Sequence, residues 1–172
     1  MILTNFIPYY VDHFYTEVGK QNPDWEIIVL ADTTSKEDVN QFLQPKNYKV
    51  INLCLKSFGP FFYRIGVLKI LLRKRPNVFV VYANPRDFSC FFTLFFASLL
   101  GIRTAAYGMF HKIGQLKFFT RLAYRFFYLL SDNILVYSRK GATVLYAIGL
   151  DQKKVIIVGN AIDENKIKRV HN

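Results

Sequence analysis

A chain of 172 residues has the size of one domain and can bury about 70% of the surface its unfolded form exposes. With 52% hydrophobic and 17% aromatic side chains it is too apolar for a disordered chain, and its longest apolar run, Phe88 to Ile102, is too short to span a bilayer. The net charge of +11 is segregated: residues 1–38 carry two basic and seven acidic side chains, 39–131 carry fourteen basic ones and Asp87 as their single acid, and 132–172 carry seven basic and four acidic ones, a field that favours a polyanionic partner.

Ile2-Leu3-Thr4 reads as a clipped first strand, followed by a loop at Asn5 to Pro8 and a helix from Tyr9 to Lys20 with Val11, Phe14, Tyr15 and Val18 at helical spacing. Trp25 to Ala31 is a β-branched run suited to a buried strand, residues 32–47 a polar loop, and Tyr48 to Leu53 a third strand. Pro60 is predicted to open a helix in which Phe61, Ile65, Leu68 and Leu72 share a face, stopped by Pro76. Val78 to Tyr82 is a fourth strand, Pro85-Arg86-Asp87 starts the apolar helix that ends at Gly101, and Ile102 to Tyr107 is a fifth strand. A helix over 115–131, a sixth strand over Asn133 to Tyr137, a helix over Ser138 to Ile148 and a seventh strand over Val155 to Val158 complete the pattern. Strict alternation with apolar strands predicts an α/β, Rossmann-like open parallel sheet of about six to seven strands with helices on both faces, spanning 1–159. Residues 160–172 lose the apolar pattern and read as the start of a linker.

Open α/β sheets bind ligands beyond the carboxyl ends of their strands, so the residues following each strand are the candidate contacts. Pro8, Tyr9 and Tyr10 stand at a strand-to-helix turn whose backbone N–H groups suit an anion, or whose tyrosines simply pack. Asn84 and Arg86 follow the fourth strand, Gly108 and Lys112 the fifth, and Ser138 and Arg139 the sixth. His111 lies on a loop between Gly108 and Gly114, placed to contact a sugar hydroxyl or phosphate, or to be a solvated loop histidine.

The helix over 115–131 carries Lys117, Arg121 and Arg125 in one cationic stripe without an acid. Leu116, Phe119, Ala123, Phe126 and Leu130 form a stripe that should face the sheet, which leaves Phe118, Leu122 and Leu129 beside the cations. That is the pattern of an interfacial helix on an anionic membrane, the alternative being an ordinary solvated face. Arg64, Lys69, Arg73, Lys74 and Arg75 are expected to extend the basic surface from the preceding helix.

No glycine-rich dinucleotide fingerprint, phosphate-binding P-loop, zinc-protease helix or nucleophile elbow is present. Neither a cofactor nor a metal is predicted, and Cys54 and Cys90, far apart, read as buried free thiols. The opening residues lack a positive segment, an apolar run and a cleavage site, which predicts a cytoplasmic location, peripheral on the inner face of the membrane.

The run Leu3-Thr4-Asn5-Phe6-Ile7-Pro8-Tyr9-Tyr10 with Phe14-Tyr15 resembles the opening of family 4 glycosyltransferases of the GT-B fold. Gly101 to Gly108 is similar to that family's fifth strand, Ser131 to Ser138 to its sixth, and Val155 to Asp163 to the strand leading into its second domain. Val11-Asp12 stand where many members have a glycine pair near the donor phosphates. The resemblance implies an enzyme in which this chain is the N-terminal, acceptor-side half. It implies a metal-independent, retaining transfer from a nucleotide-sugar donor to an acceptor glycan or glycolipid of the kind found in cell-envelope polysaccharide synthesis. His111 matches the histidine that contacts the transferred sugar, and residues 160–172 lead to a C-terminal donor-binding domain, in the same chain or a separate one. The half alone is expected to be inactive. The alternative is a non-catalytic basic module on an anionic membrane or nucleic acid; for the transferase no nucleic-acid partner is expected.

Overall fold

A computed structural model of the chain describes residues 1–5, 7, 9–32, 47–108 and 118–159. In chain order the elements are β1 (Ile2–Leu3), α1 (Tyr9–Gln21), β2 (Ile28–Ala31), β3 (Lys49–Asn52), β4 (Leu55–Phe58), β5 (Phe61–Arg64) and α2 (Val67–Lys74). They continue with β6 (Val78–Tyr82), α3 (Phe88–Leu99), β7 (Arg103–Gly108), α4 (Phe118–Leu130), β8 (Asn133–Val136), α5 (Arg139–Ala147) and β9 (Val155–Ile157). All seven predicted strands join one parallel sheet of order β3-β2-β1-β6-β7-β8-β9. The fold is therefore the α/β, Rossmann-like sheet that the alternation of elements predicts.

Side chains alternate across the sheet because successive strand residues point to opposite faces. Leu3, Ile28, Leu30, Phe79, Val81 and Ala106 turn to one face, where they pack with Val67 and Leu71 of α2, Leu94 of α3, Phe127 of α4 and Leu145 of α5. Val29 and Ala31 turn to the other, against Tyr15 of α1. Both faces thus carry helices, which is why the strand interiors are apolar on both sides. Lys49 and Asn52 are exposed, since β3 is an edge strand. The second predicted strand begins at Ile28 rather than Trp25, whose side chain is 63% exposed.

One predicted element is wrong. The helix expected from Pro60 is instead a β-hairpin, β4 paired antiparallel with β5, and α2 starts only at Val67. Its turn is Gly59-Pro60: Gly59 has φ +56, open to a residue without a Cβ, and proline holds the second turn position. The aromatic Phe61, Phe62 and Tyr63 suit a strand better than a helix, and Leu68 and Leu72 keep their helical spacing in α2, which starts about two turns later than expected.

Candidate functional site

All seven strands run parallel, so their carboxyl ends share one edge of the sheet. The chain leaves β1 toward β2 and β3 in one direction and β6 toward β9 in the other, which puts the switch point between β1 and β6. In doubly wound sheets the ligand crevice opens there. The predicted contacts lie along this edge: Asn84 and Arg86 after β6, Gly108 at the end of β7, Ser138 and Arg139 after β8, and Tyr9 and Tyr10 in the first turn of α1. Pro8, His111, Lys112 and Lys117 lie outside the described residues, as do 160–172.

Several of these residues have a structural task. Ser138 caps α5, its hydroxyl accepting from the Gly141 N–H at 3.2 Å. Asn84 is half-buried, and its side chain accepts from the Arg86 N–H at 3.0 Å, which shapes the turn and leaves the Arg86 side chain exposed. Gly108 is buried, and Arg139 opens α5 with its side chain in solvent.

At the switch point stands a residue assigned from the sequence to the basic surface. Arg64, on β5, is 3% exposed and forms an ion pair with Asp87, which is fully buried. Its second terminal nitrogen donates to Asn5 Oδ1 at 2.7 Å, just beyond β1. Asp87 also caps α3, accepting from the Ser89 N–H at 2.9 Å and from Cys90 Sγ at 3.2 Å. The Ser89 hydroxyl in turn accepts from the Arg64 backbone N–H at 2.6 Å, and the Phe62 N–H donates to the Arg86 carbonyl at 3.0 Å. The hairpin is thereby fastened to the ends of both β1 and β6. Burial pushes the Arg64 guanidinium down from its usual range, and Asp32 at the end of β2 works against that shift. Sequence patterning missed this network, although one signal was there: a lone acid in a long basic segment, once buried, needs a cation beside it.

A tyrosine cluster lies next to the network. The Tyr107 hydroxyl donates to Thr4 Oγ1 at 2.7 Å, and its ring meets those of Tyr82 at 5.2 Å and Tyr137 at 6.3 Å between centroids. Burial raises the Tyr107 phenol well above its ordinary value, so it stays a neutral hydrogen-bonding group. Tyr48 donates to Asp12, and burial followed by that carboxylate raises its pKa also.

On α4 the exposed residues include Phe118, Arg121, Leu122, Arg125 and Leu129, as the spacing predicts. The inward stripe is rotated from the expected one: Phe127 and Tyr128 are buried while Phe126 is 50% exposed, because α4 packs on α3 through the Phe91–Phe127 ring contact at 4.4 Å. One further correction concerns the cysteines. Cys54 is exposed beyond the edge strand and only Cys90 is a buried thiol, pushed up to about 12 by that burial. Among the described residues no helix is long and apolar enough to cross a membrane, and no cluster of His, Cys, Asp or Glu is placed to hold a metal ion.

No protein-family model and no curated protein matches the chain. Solved structures do. The chain is similar to the UDP-GlcNAc 2-epimerase from Neisseria meningitidis bound to UDP-GlcNAc, with 11% identity and a TM-score of 0.65, over 99% of this chain and 49% of that one. It is also similar to the Methanocaldococcus jannaschii UDP-GlcNAc 2-epimerase in complex with UDP-GlcNAc and UDP, with 17% identity and a TM-score of 0.62, over 92% of this chain and 46% of that one. At these identities the likeness establishes the fold. The chain spans just under half the length of the structures it matches.

Proposed function

We propose that this chain is the N-terminal, acceptor-side half of a nucleotide-sugar-dependent glycosyltransferase whose acceptor is held at a membrane. Residues 1–159 form the acceptor-side lobe, and 160–172 begin the linker to a donor-binding lobe. The fold match supports the nucleotide-sugar part, since the two enzymes compared above were solved with UDP-GlcNAc, and each is about twice the length of this chain. The observation that carries transfer to a membrane-held acceptor is the outward face of α4. There Phe118, Leu122 and Leu129 stand exposed beside Arg121 and Arg125, and the exposed surface of residues 47–108 and 118–130 has no acid on it. Such a basic, apolar face suits an enzyme that works on an acceptor anchored in a membrane.

The crevice along the strand ends receives the acceptor, with Asn84, Arg86, Ser138 and Arg139 at its rim, and Pro8, Tyr9, Tyr10, Gly108 and Lys112 are assigned to the same acceptor from their places in the sequence. His111 is the residue assigned to the transferred sugar. Catalysis would rest on positioning and electrostatic stabilisation, because the basic segment offers no second carboxylate for an acid–base pair.

A competing reading is epimerisation of the nucleotide sugar itself, which the identity of the structural neighbours favours. One experiment separates the two. The complete enzyme, donor-binding lobe included, is incubated with radiolabelled UDP-sugars and membranes of the source cell. Label in the lipid or polysaccharide fraction supports transfer; label that remains in free nucleotide sugar with a changed sugar configuration establishes the epimerase and removes the proposal.

A further inference from the structure

The exposed apolar surface of this chain extends well beyond α4. On α3 the buried residues are Ser89, Cys90, Thr93, Leu94 and Ala97, so the opposite face is formed by Phe88, Phe92, Phe95 and Leu99, one residue per turn, each between 43% and 67% exposed. Four large apolar groups in one solvent-facing stripe are more than a free monomer surface normally shows. The stripe lies beside the exposed face of α4, where Phe118 is 72% and Leu129 69% exposed.

The hairpin prolongs this surface at the other side. Phe61 stacks on Phe88 with ring centroids 5.0 Å apart, and Phe58, at the turn, is 82% exposed, more than any other large apolar side chain described. The Arg64–Asp87 pair fastens the base of the hairpin to the N-cap of α3, so the position of its tip relative to the α3 stripe is set by a buried link. Exposed cations accompany the aromatic groups: Lys56 on the hairpin, Lys69 and Arg73 on α2, Arg121 and Arg125 on α4. The one acid in this part of the chain is Asp87, and it is buried and paired.

We infer that hairpin β4–β5 and the outward faces of α3 and α4 form a single docking face for an anionic phospholipid bilayer, with Phe58 as its inserted tip. The inference rests on the membrane-held acceptor proposed above and names the surface that meets the bilayer. Charge decides the occupant. A second copy of the chain docked face to face through this same surface would set cations against cations with no exposed acid on the face to pair them, while an anionic leaflet pairs the cations and covers the aromatic groups together. A nucleic acid would satisfy the cations but leave Leu99 and Leu129 in water.

The test is flotation of the full chain with vesicles of phosphatidylcholine alone and of phosphatidylcholine mixed with phosphatidylglycerol. It needs neither donor nor acceptor, so failure of docking and failure of the transferase reading are told apart. Binding is expected to mixed vesicles only. Phe58→Ser and the pair Phe92→Ser/Leu99→Ser should each lower it at least about tenfold, and Arg121→Gln/Arg125→Gln should abolish the preference for the anionic lipid. Thermal unfolding confirms that each variant is folded. Phe58 lies outside the core, so its variant alone keeps the test decisive if the α3 pair fails to fold. Equal binding to both vesicle types, unchanged binding of Phe58→Ser, RNA binding in place of vesicle binding, or a dimer in solution that the same variants dissociate would each overturn the inference.

Discussion

Arg64 and Asp87, 23 residues apart in the chain, form an ion pair in which neither side chain reaches solvent. The pair joins the base of hairpin β4–β5 to the cap of α3 at the point where the strand order reverses. Removing one partner leaves the other charge buried and uncompensated. Arg64→Ala should therefore cost about 3–5 kcal/mol, read from urea unfolding, whereas Arg64→Met/Asp87→Leu should recover part of that loss. A loss under about 1 kcal/mol for Arg64→Ala, the size of a surface pair, would contradict the burial seen here.

Gly19 lies inside α1, where alanine ordinarily gains about 1 kcal/mol of helix propensity. Here a Cβ would come within 2.2 Å of the Asn47 carbonyl oxygen, a backbone atom at the approach to β3. Crowding against backbone costs about 1–3 kcal/mol, so Gly19→Ala should lower the melting temperature rather than raise it. A higher melting temperature would show that α1 and the β3 approach separate easily.

Ser138 invites two explanations, and they separate cleanly. As an N-cap it contributes about 1 kcal/mol, lost in Ser138→Ala and restored in Ser138→Asp, since aspartate caps as well as serine. As an acceptor contact it contributes a hydroxyl that aspartate does not supply. In the complete enzyme, an acceptor KM that stays raised in Ser138→Asp after stability has returned identifies the contact; a KM that recovers leaves Ser138 as a cap alone.

His111→Ala in the complete enzyme should reduce kcat by about a hundredfold, the usual effect of deleting one group that stabilises the transition state, with the melting temperature unchanged. Unaltered turnover would take His111 out of the site.

The two cysteines should differ sharply towards a thiol reagent. Cys54 is exposed and should react at once, while Cys90 should react only on unfolding. Burial raises the Cys90 thiol from its ordinary 9.0 to about 12. Between those values the unfolded chain has released a proton that the folded chain keeps, so stability must fall as pH rises through that window. The urea midpoint of wild type should decline there more steeply than that of Cys90→Ala; parallel declines would mean that the thiol is not the group responsible.

Alternation of apolar strands with amphipathic helices made the parallel sheet legible, because burial on both faces removes polar residues from every strand interior. The strand ends were legible for the same reason, as Asn84 and Ser138 follow the last apolar residues of β6 and β8 closely. The hairpin was not. Phe61, Ile65, Leu68 and Leu72 match a helical spacing, and only pairing with Leu55–Phe58 reveals Phe61–Arg64 as a strand. The phase of α4 was likewise misjudged by one residue, since in a helix this rich in aromatics several stripes are apolar and contact with Phe91 selects the one containing Phe127.

By itself the chain determined an open α/β sheet, the seven strands of that sheet and the gathering of positive charge in one stretch, because periodicity and charge are local properties of a sequence. Which cation would leave that charged surface was decided only in three dimensions. Arg64 looks like its basic neighbours in sequence, yet folding carries it into the interior beside Asp87, where desolvation makes each charge require the other.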